Sequence, residues 1–243
     1  FDVRDSIELH VCRQEGGAAY MAEAYGKLTN RPGICFVTRG PGASNAAIGV
    51  HTAQQDSTPM ILFIGQVGSD VVEREAFQEV DYRRMFGSMA KWVASIDRAD
   101  RIPEMVSHAF HTAVSGRPGP VVLALPEDML MTRLQAPVVN RYARVAASPA
   151  MRDMAMVRHL LQMCRRPLMI LGGGGWTKEA CSNIQRFAER NRLPVACSFR
   201  RQDLFDNLHP QYAGDIGVGL APSLRKRLDE ADIILCVGAR LGE

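Results

Sequence analysis

The sequence predicts an α/β fold with two parallel-sheet domains, and three observations lead to this prediction. Short apolar runs alternate along the 243 residues with segments that carry apolar side chains at helical spacing. Breaks rich in glycine or proline separate most of these segments. The alternation is interrupted once, over residues 131–149, where no clean periodicity remains. Because strands that alternate with helices favour parallel pairing, we expect each half to form its own parallel sheet covered by helices.

One strand–helix–strand unit at residues 33–66 organises the first domain. Residues 33–38 form an apolar run, the sequence Gly-Pro-Gly at 40–42 breaks it, and residues 45–55 carry apolar side chains at helical spacing. Ser44 is a candidate cap for that helix. A second apolar run follows at residues 60–65. Ligands of parallel sheets bind at the carboxyl ends of strands, which is where the Gly-Pro-Gly turn lies.

The other elements of the first domain, residues 1–130, continue the alternation. We predict strands at 7–12, 91–96 and 121–125. We predict helices at 18–28 and 101–115 and a helical turn at 82–89. The charged segment 67–80 is expected to be irregular.

The second domain, residues 150–243, repeats the pattern after the linker at 131–149. Helices are predicted at 150–164, 178–191 and 223–230, and strands at 168–171, 194–198 and 233–237. Four glycines, at 172–175, follow the first of these strands. They could let backbone approach a phosphate, or they could form a tight turn, and the spacing is not that of a dinucleotide fingerprint. The chain stops directly after a strand, so we expect a fragment.

Composition and charge exclude several classes of protein. A net charge of +3 is too small to indicate a nucleic-acid partner. No apolar run reaches the roughly 20 residues of a membrane-spanning helix, and the first residues do not resemble a signal peptide. The six cysteines show no metal-ligand spacing, and His108 and His111 lack a third ligand, so no metal site is predicted in this chain. We expect a cytoplasmic protein with reduced thiols and no membrane partner.

Glu15 lies between a predicted strand end and a predicted helix start. In one interpretation its carboxylate is simply favoured by the positive end of the helix dipole. In the other it is a functional carboxyl beside the Gly-Pro-Gly turn. Residue type alone favours the first interpretation, because most acidic residues at helix starts have no other role.

Several motifs occur together in an order that resembles one family. The segments are residues 13–26 (RQEGGAAYMAEAYG), 38–45 (TRGPGASN), 56–67 (DSTPMILFIGQV), 76–81 (AFQEVD) and 115–129 (SGRPGPVVLALPEDM). They resemble the pyrimidine-binding domain of thiamine-diphosphate enzymes of the acetolactate synthase type. Residues 166–175 (RPLMILGGGG) and 231–243 (ADIILCVGARLGE) resemble the Rossmann-like central domain of the same family, which binds FAD or ADP in some members.

The resemblance implies a thiamine-diphosphate-dependent carboligase or decarboxylase, a transferase or lyase that acts on a 2-keto acid. The alternatives are an acyl-CoA or aromatic 2-keto acid decarboxylase of the same superfamily, or a catalytically silent nucleotide-binding subunit. The family's catalytic glutamate matches Glu15, which would hydrogen-bond N1′ of the aminopyrimidine. We expect burial to raise the pKa of this carboxyl.

Cofactor-binding roles transfer to matching positions only. The turn that borders the pyrimidine matches Thr38, Pro41, Gly42 and Asn45. The segment that closes on cofactor and substrate matches Phe77 and Gln78. An arginine that contacts FAD matches Arg117. Strand-end positions around that nucleotide match Gly172, Gly173, Gly238 and Arg240.

The sequence also departs from the family. Gln14 stands where histidine is common, and the residues at 198–201, 214–217 and 241–243 differ from FAD-binding members, so FAD, ADP or an empty central domain all stay open. The resemblance further implies that a third domain, absent from this chain, holds Mg²⁺ and the diphosphate, and that a strand and a helix are missing before Phe1. The family's site lies between subunits, so we expect a homodimer or homotetramer and an inactive isolated fragment.

Overall fold

The computed structural model describes residues 5–135, 137, 140–145 and 147–241. It divides the chain into two compact units, Phe1–Val145 and Ala146–Glu243. Each unit is an α/β structure built on its own four-stranded parallel sheet, as the sequence predicted. The proposed limits of the linker, 131–149, stay a prediction, and positions 136, 138, 139 and 146 within it lie outside the described residues.

The first unit contains a sheet whose strand order is β1-β2-β4-β3, with every neighbouring pair parallel. The strands are β1 (Gly33–Val37), β2 (Met60–Gln66), β3 (Trp92–Ser95) and β4 (Pro120–Pro126). The helices are α1 (Glu15–Thr29), α2 (Pro41–Asp56), α3 (Tyr82–Phe86), α4 (Ile102–Val114) and α5 (Glu127–Leu130). The four-residue helix α5 lies where the sequence pattern predicted no regular element.

Two apolar clusters cover opposite faces of this sheet. Alternate residues of β2 point to opposite faces, as the period of a strand requires. Leu62 packs with Ala19 of α1 and Ala46 of α2. Phe63 packs with Ala109 of α4 in the other cluster. Helices α1 and α2 therefore share one face, and α4 covers the other.

The predicted strand at residues 7–12 is wrong. These residues form no strand, and the side chains of Ile7, Leu9 and Val11 are 61%, 66% and 88% exposed. A strand requires a neighbour that accepts and donates its backbone hydrogen bonds, and no described strand pairs with this segment. Alternation of apolar residues does not by itself supply that neighbour.

Helix α2 begins earlier than the sequence predicted, because it starts inside the Gly-Pro-Gly turn. Gly40 is the N-terminal cap and Pro41 occupies the first turn, where a missing N–H costs nothing. Ser44 is therefore not the cap. Its hydroxyl instead donates to the carbonyl of Gly40 over 3.1 Å.

The second unit has the strand order β7-β6-β5-β8, again with all neighbours parallel. Its strands are β5 (Pro167–Leu171), β6 (Val195–Ser198), β7 (Tyr212–Ile216) and β8 (Ile233–Val237), and its helices are α6 (Met151–Met163), α7 (Lys178–Asn191) and α8 (Pro222–Glu230). Alternate residues of β5 again separate two clusters, one with Ala188 of α7 and one with Leu224 of α8.

Strand β7 was not predicted from the sequence. It contains Gly214 and Asp215, so it lacks the apolar run that marks its neighbours. Its pairing with β6 is also irregular, with a register shift between Val195 and Ala196. Tertiary pairing with β6, rather than local composition, makes this segment a strand.

Candidate functional site

Glu15 is the first residue of α1, so its carboxylate lies at the positive end of the helix dipole. The preceding residue, Gln14, caps the helix, because its side-chain oxygen accepts the backbone N–H of Gly17 at 2.8 Å. The glutamine that stands where the family commonly has histidine thus fixes the start of the helix that carries Glu15.

Asn45 of α2 holds the carboxylate of Glu15. Its Nδ2 donates to Oε2 of Glu15 over 3.0 Å, although the two residues are 30 positions apart in the sequence. The starts of the two helices lie side by side. A Cβ atom at Gly16 would lie only 3.1 Å from the backbone oxygen of Asn45. The fold therefore brings together two of the residues that the sequence singled out.

The expected rise in the pKa of Glu15 is wrong for this chain. The hydrogen bond from Asn45, and next the backbone N–H at the start of α1, lower the pKa of Glu15 from its ordinary value. The side chain is only half-buried, so the opposing effect of desolvation is smaller. Glu15 is thus held as a carboxylate whose Oε1 takes no part in the bond to Asn45.

The glycine turn beside this pair is held by a tyrosine. Gly40 has φ of 58°, a conformation that favours glycine, and its N–H donates to the hydroxyl of Tyr82 over 3.0 Å. Tyr82 is only 4% exposed. Sequence reasoning missed Tyr82; its one signal is an aromatic residue directly after Asp81, which caps α3.

The segment containing Phe77 and Gln78 lies against the same turn. A Cβ atom at Gly40 would approach Cβ of Gln78 to 2.9 Å. The carbonyl of Phe77 accepts Nε of Arg39 at 3.2 Å, while the Phe77 side chain is 78% exposed. The backbone of this segment is therefore anchored and its aromatic ring faces outward.

The other residues of the turn complete this group. Thr38 directly follows β1, and a Cβ atom at Gly42 would lie 2.9 Å from Cγ2 of Thr38. Thr38 and Pro41 are exposed and Gly42 is buried. The carboxyl end of β1 thus gathers Glu15, Thr38, Pro41, Gly42, Asn45 and Gln78, at the edge where parallel sheets bind ligands.

Arg117 is not part of this group. It precedes β4, at the amino edge of the parallel sheet, whereas the Gly-Pro-Gly turn follows β1 at the carboxyl edge. Its Nε donates to Oγ of Ser57 over 2.8 Å, and its guanidinium also bonds the carbonyl of Gln54. In the first unit, Arg117 ties the end of α2 to the start of β4.

In the second unit, the structure brings Gly172, Gly173 and Gly238 together at the ends of β5 and β8. Gly173 and Gly238 both have φ of 68°, and a Cβ atom at Gly238 would lie 2.6 Å from the oxygen of Gly172. Leu171 and Gly238 also form an isolated bridge. Close backbone contact therefore explains these glycines without a ligand.

Three backbone polar groups of these glycines form hydrogen bonds within the second unit. The N–H of Gly172 donates to the carbonyl of Val237 over 3.1 Å, and its own carbonyl accepts Nε1 of Trp176 at 2.8 Å. The guanidinium of Arg201 bonds the carbonyl of Gly173. Arg240 is exposed, and positions 242 and 243 of the expected departure lie outside the described residues.

Within residues 5–135, 137, 140–145 and 147–241, no group of three or more His, Cys, Asp or Glu side chains could hold a metal ion. In the same part of the chain, no helix combines the length and the apolar character needed to cross a bilayer.

Several curated proteins are similar to this chain over nearly all of its length. The acetolactate synthase large subunit of Haemophilus influenzae is 31% identical over 243 residues, which is 98% of the chain and 42% of the relative. The large subunit from Corynebacterium glutamicum is 31% identical over 95% of the chain and 38% of its own length. Isozyme 2 from Escherichia coli is 29% identical over 98% of the chain and 43% of its own length. The chain spans about two fifths of the length of these relatives.

Two domain models of one family also match, and they do so in the order of the two units. The model described as thiamine pyrophosphate enzyme, N-terminal TPP binding domain, matches residues 1–85. The model described as thiamine pyrophosphate enzyme, central domain, matches residues 154–243. Together with the parallel sheets and the grouping of Glu15 with the Gly-Pro-Gly turn, these matches show that the chain belongs to the thiamine pyrophosphate enzyme family.

Proposed function

We propose that this chain serves a thiamine-diphosphate-dependent carboligase or decarboxylase that acts on a 2-keto acid, as its acetolactate synthase relatives suggest. The observation that carries the proposal is the hydrogen bond from Asn45 to Glu15 beside the Gly-Pro-Gly turn. It leaves one carboxylate oxygen of Glu15 outside that bond, on a half-buried side chain at the carboxyl edge of the sheet. A positioned carboxylate of this kind fits the protonated ring nitrogen of an aminopyrimidine.

Glu15 is the proposed catalytic residue. Its carboxylate would share a proton with N1′ of the pyrimidine, while Asn45 keeps the other oxygen in place. When bound, thiamine diphosphate supplies the electron sink for breaking and forming bonds next to a carbonyl carbon. Removal of water from Glu15 by a bound ring would shift the pKa of this carboxyl upward from its low starting value, which favours sharing of the proton.

The remaining residues of the group would bind and orient the ring. Thr38, Pro41 and Gly42 form the turn that borders the pyrimidine in this proposal. Phe77 and Gln78 would cover it, because their segment already contacts the turn at Gly40. The exposed ring of Phe77 would exclude water from the site.

Other parts of the proposed enzyme lie beyond this chain's candidate site. We propose that Mg²⁺ and the diphosphate are held by a third domain, and that a second subunit of a homodimer or homotetramer supplies it opposite Glu15. The second unit resembles a domain that binds FAD or ADP in some members of the family, and we route no step of the proposed reaction through either nucleotide. All six cysteines are free, which supports a cytoplasmic location.

The test is the change Glu15→Gln in the complete protein. The amide cannot share a proton with N1′ in the same way, so we expect exchange of the C2 proton of bound thiamine diphosphate to fall by about 10²- to 10⁴-fold. The measurement is hydrogen–deuterium exchange at C2, quenched with acid and read by NMR.

The matched control is Glu8→Gln, which removes an exposed carboxylate seven positions away. It should leave C2 exchange unchanged. Near-normal exchange in the Glu15→Gln protein, with thiamine diphosphate shown to be bound, would refute the catalytic assignment.

A further inference from the structure

We propose that Glu79 is a positioning residue that fixes the loop presenting Phe77 and Gln78 to the site. The loop is defined here as residues 73–79 and is called the Phe77 loop. The inference rests on the proposed function for the roles of Phe77 and Gln78. Its structural part, the fixing of the loop by Glu79, is carried by hydrogen bonds and backbone geometry within the first unit.

The backbone of the Phe77 loop adopts an unfavourable conformation three times. Glu73, Glu75 and Gln78 have φ of 61°, 57° and 65°, although none of them is glycine. Residues with a side chain rarely adopt this region, because Cβ crowds the backbone. Such a loop persists only if surrounding interactions determine its conformation.

The carboxylate of Glu79 supplies two of these interactions. Its Oε1 accepts the N–H of Glu73 at 2.7 Å, and its Oε2 accepts the N–H of Ala76 at 3.2 Å. The N–H of Glu79 in turn donates to the carbonyl of Ala76 over 2.9 Å. One half-buried side chain therefore binds both ends of a segment that contains two of the strained residues.

Two further contacts connect the loop to the sheet. Arg39, which follows β1, donates from Nε to the carbonyl of Phe77 over 3.2 Å and forms an ion pair with Glu127 of α5. Gln66, the last residue of β2, donates from Nε2 to the carbonyl of Val80 over 2.9 Å. These contacts set where the loop lies, whereas Glu79 sets its internal shape.

The charge around Glu79 indicates that its hydrogen bonds to the backbone, and not attraction between charges, fix the shape of the Phe77 loop. Glu73, Glu75, Glu79 and Asp81 line one recess of about 470 Å³. Like charges repel one another, so the proximity of these carboxylates does not hold the loop together. A carboxylate that accepts hydrogen bonds from backbone N–H groups can hold the loop together, because charged acceptors form stronger hydrogen bonds than neutral ones.

The consequence is a loop that is ordered before a ligand arrives. The ring of Phe77 is 78% exposed while its backbone is anchored, and Gln78 already contacts Gly40. A mobile loop would have to lose conformational freedom when it covers the coenzyme, and that loss weakens binding. Glu79 thus acts on the site through the Phe77 loop and not by contact with the coenzyme.

The experiment compares Glu79→Ala, Glu79→Gln and Glu75→Gln with the unchanged complete protein, without added coenzyme. Amide hydrogen–deuterium exchange is followed by mass spectrometry in peptides that cover residues 73–79. We expect exchange in Glu79→Ala to be at least about 10-fold faster, because the Glu73 and Ala76 amides lose their acceptor. Glu79→Gln should be intermediate, since its amide oxygen still accepts one hydrogen bond.

Glu75→Gln is the matched control, because it removes one negative charge from the same loop without removing an acceptor of these two amides. Its exchange should equal that of the unchanged protein. Trypsin provides a second measurement, since Arg74 is exposed within the loop and cleavage after it should be faster in Glu79→Ala.

The functional measurement compares the change in kcat with the change in KM for each variant. We expect Glu79→Ala to raise KM for the 2-keto acid and the half-saturating concentration of thiamine diphosphate about 10-fold, with a smaller change in kcat. Unchanged exchange and unchanged trypsin cleavage in Glu79→Ala would overturn the inference. If that variant does not fold, equal exchange in Glu79→Gln and the unchanged protein would overturn it instead.

These outcomes are independent of the test of Glu15. Normal C2 exchange in Glu15→Gln would remove the proposed function while the exchange of the Phe77 loop still reports on Glu79. Faster exchange of the loop with unaltered KM and half-saturation would overturn the link to the site alone.

Discussion

The hydrogen bond between Asn45 and Glu15 is the main reason that the pKa of the proposed catalytic carboxyl is lowered. The resemblance to the family selected both residues, but it placed Asn45 beside the coenzyme and not on Glu15. The expected effect of burial on the pKa of Glu15 was wrong because an amide donor and a helix start stabilise the carboxylate more than desolvation disfavours it. The neighbouring Asn45 side chain is the largest cause of the lowered pKa of Glu15, and the backbone N–H at the helix start adds to it.

This contact predicts the effect of Asn45→Ala. Loss of the amide donor should raise the pKa of Glu15 toward its ordinary value of 4.5. The measurement is an NMR titration of the 243-residue chain with ¹³C-labelled glutamate carboxyls. Gln55→Ala, which removes an amide from the exposed far end of the same helix, is the control and should leave the titration unchanged.

The sign of the accompanying stability change follows from the direction of the shift. A carboxyl whose pKa is lowered by folding contributes stability that is present above its unfolded pKa and is lost as pH falls through the folded pKa. Asn45→Ala should therefore reduce stability at neutral pH and weaken its loss below about pH 4.5. An unaltered Glu15 titration in the variant would contradict this account.

At the scale of elements, the turn between β1 and α2 shows how a helix start is built. Pro41 is suited to the first turn of a helix and Gly40 to its left-handed cap, and both were visible in the sequence. The partner of the Gly40 N–H was not visible in the sequence, because Tyr82 lies 42 residues away on another helix. The turn thus depends on local residue types for its shape and on a distant hydroxyl for its support.

The change Tyr82→Phe tests that support. It keeps the buried ring but leaves the N–H of Gly40 without its hydroxyl partner in a buried place, so we expect a loss of about 1–3 kcal/mol in the free energy of unfolding. Urea unfolding of the 243-residue chain measures this value.

Tyr25→Phe provides the comparison, because Tyr25 lies on α1 with 48% of its surface exposed. That variant should change the free energy of unfolding by less than about 0.5 kcal/mol. Equal unfolding midpoints for the two variants would show that the Tyr82 hydroxyl does not hold the turn.

At the scale of the whole molecule, each unit has a buried apolar core that contains a cysteine. Cys35 lies on β1 in the first unit and Cys197 on β6 in the second, and both are buried. Burial, followed by the charge of neighbouring groups, raises the pKa of Cys35 to about 11 and that of Cys197 to about 12. Both thiols therefore carry almost no thiolate at pH 8.

The burial and raised pKa values of Cys35 and Cys197 predict that iodoacetamide alkylates the cysteines selectively at pH 8. The thiols of Cys35 and Cys197 should stay unmodified in the folded chain, whereas the partly exposed Cys12 should react. Mass spectrometry of the digested protein identifies the modified residues, and all six cysteines should react in urea. Modification of Cys197 at the rate of Cys12 in the folded chain would contradict a closed core in the second unit.

The sequence by itself determined the alternation of strands and helices, the parallel sheets and the turn at Gly40 and Pro41. These features depend on the spacing of apolar residues and on backbone preferences, which act between near neighbours in the chain. The same local signals misplaced the segment at 7–12 and missed β7, because a strand exists only with a partner.

Only the tertiary structure decided which of the selected residues share a place. Asn45 donates a hydrogen bond to Glu15, and Gln78 lies against Gly40. Arg117 lies at the opposite edge of the sheet. The tertiary structure also showed that Glu79 binds the backbone of the Phe77 loop. Some of these contacts join residues that are far apart in the sequence. Others depend on backbone angles that residues with side chains disfavour. The spacing of residues in the sequence reveals neither kind of contact.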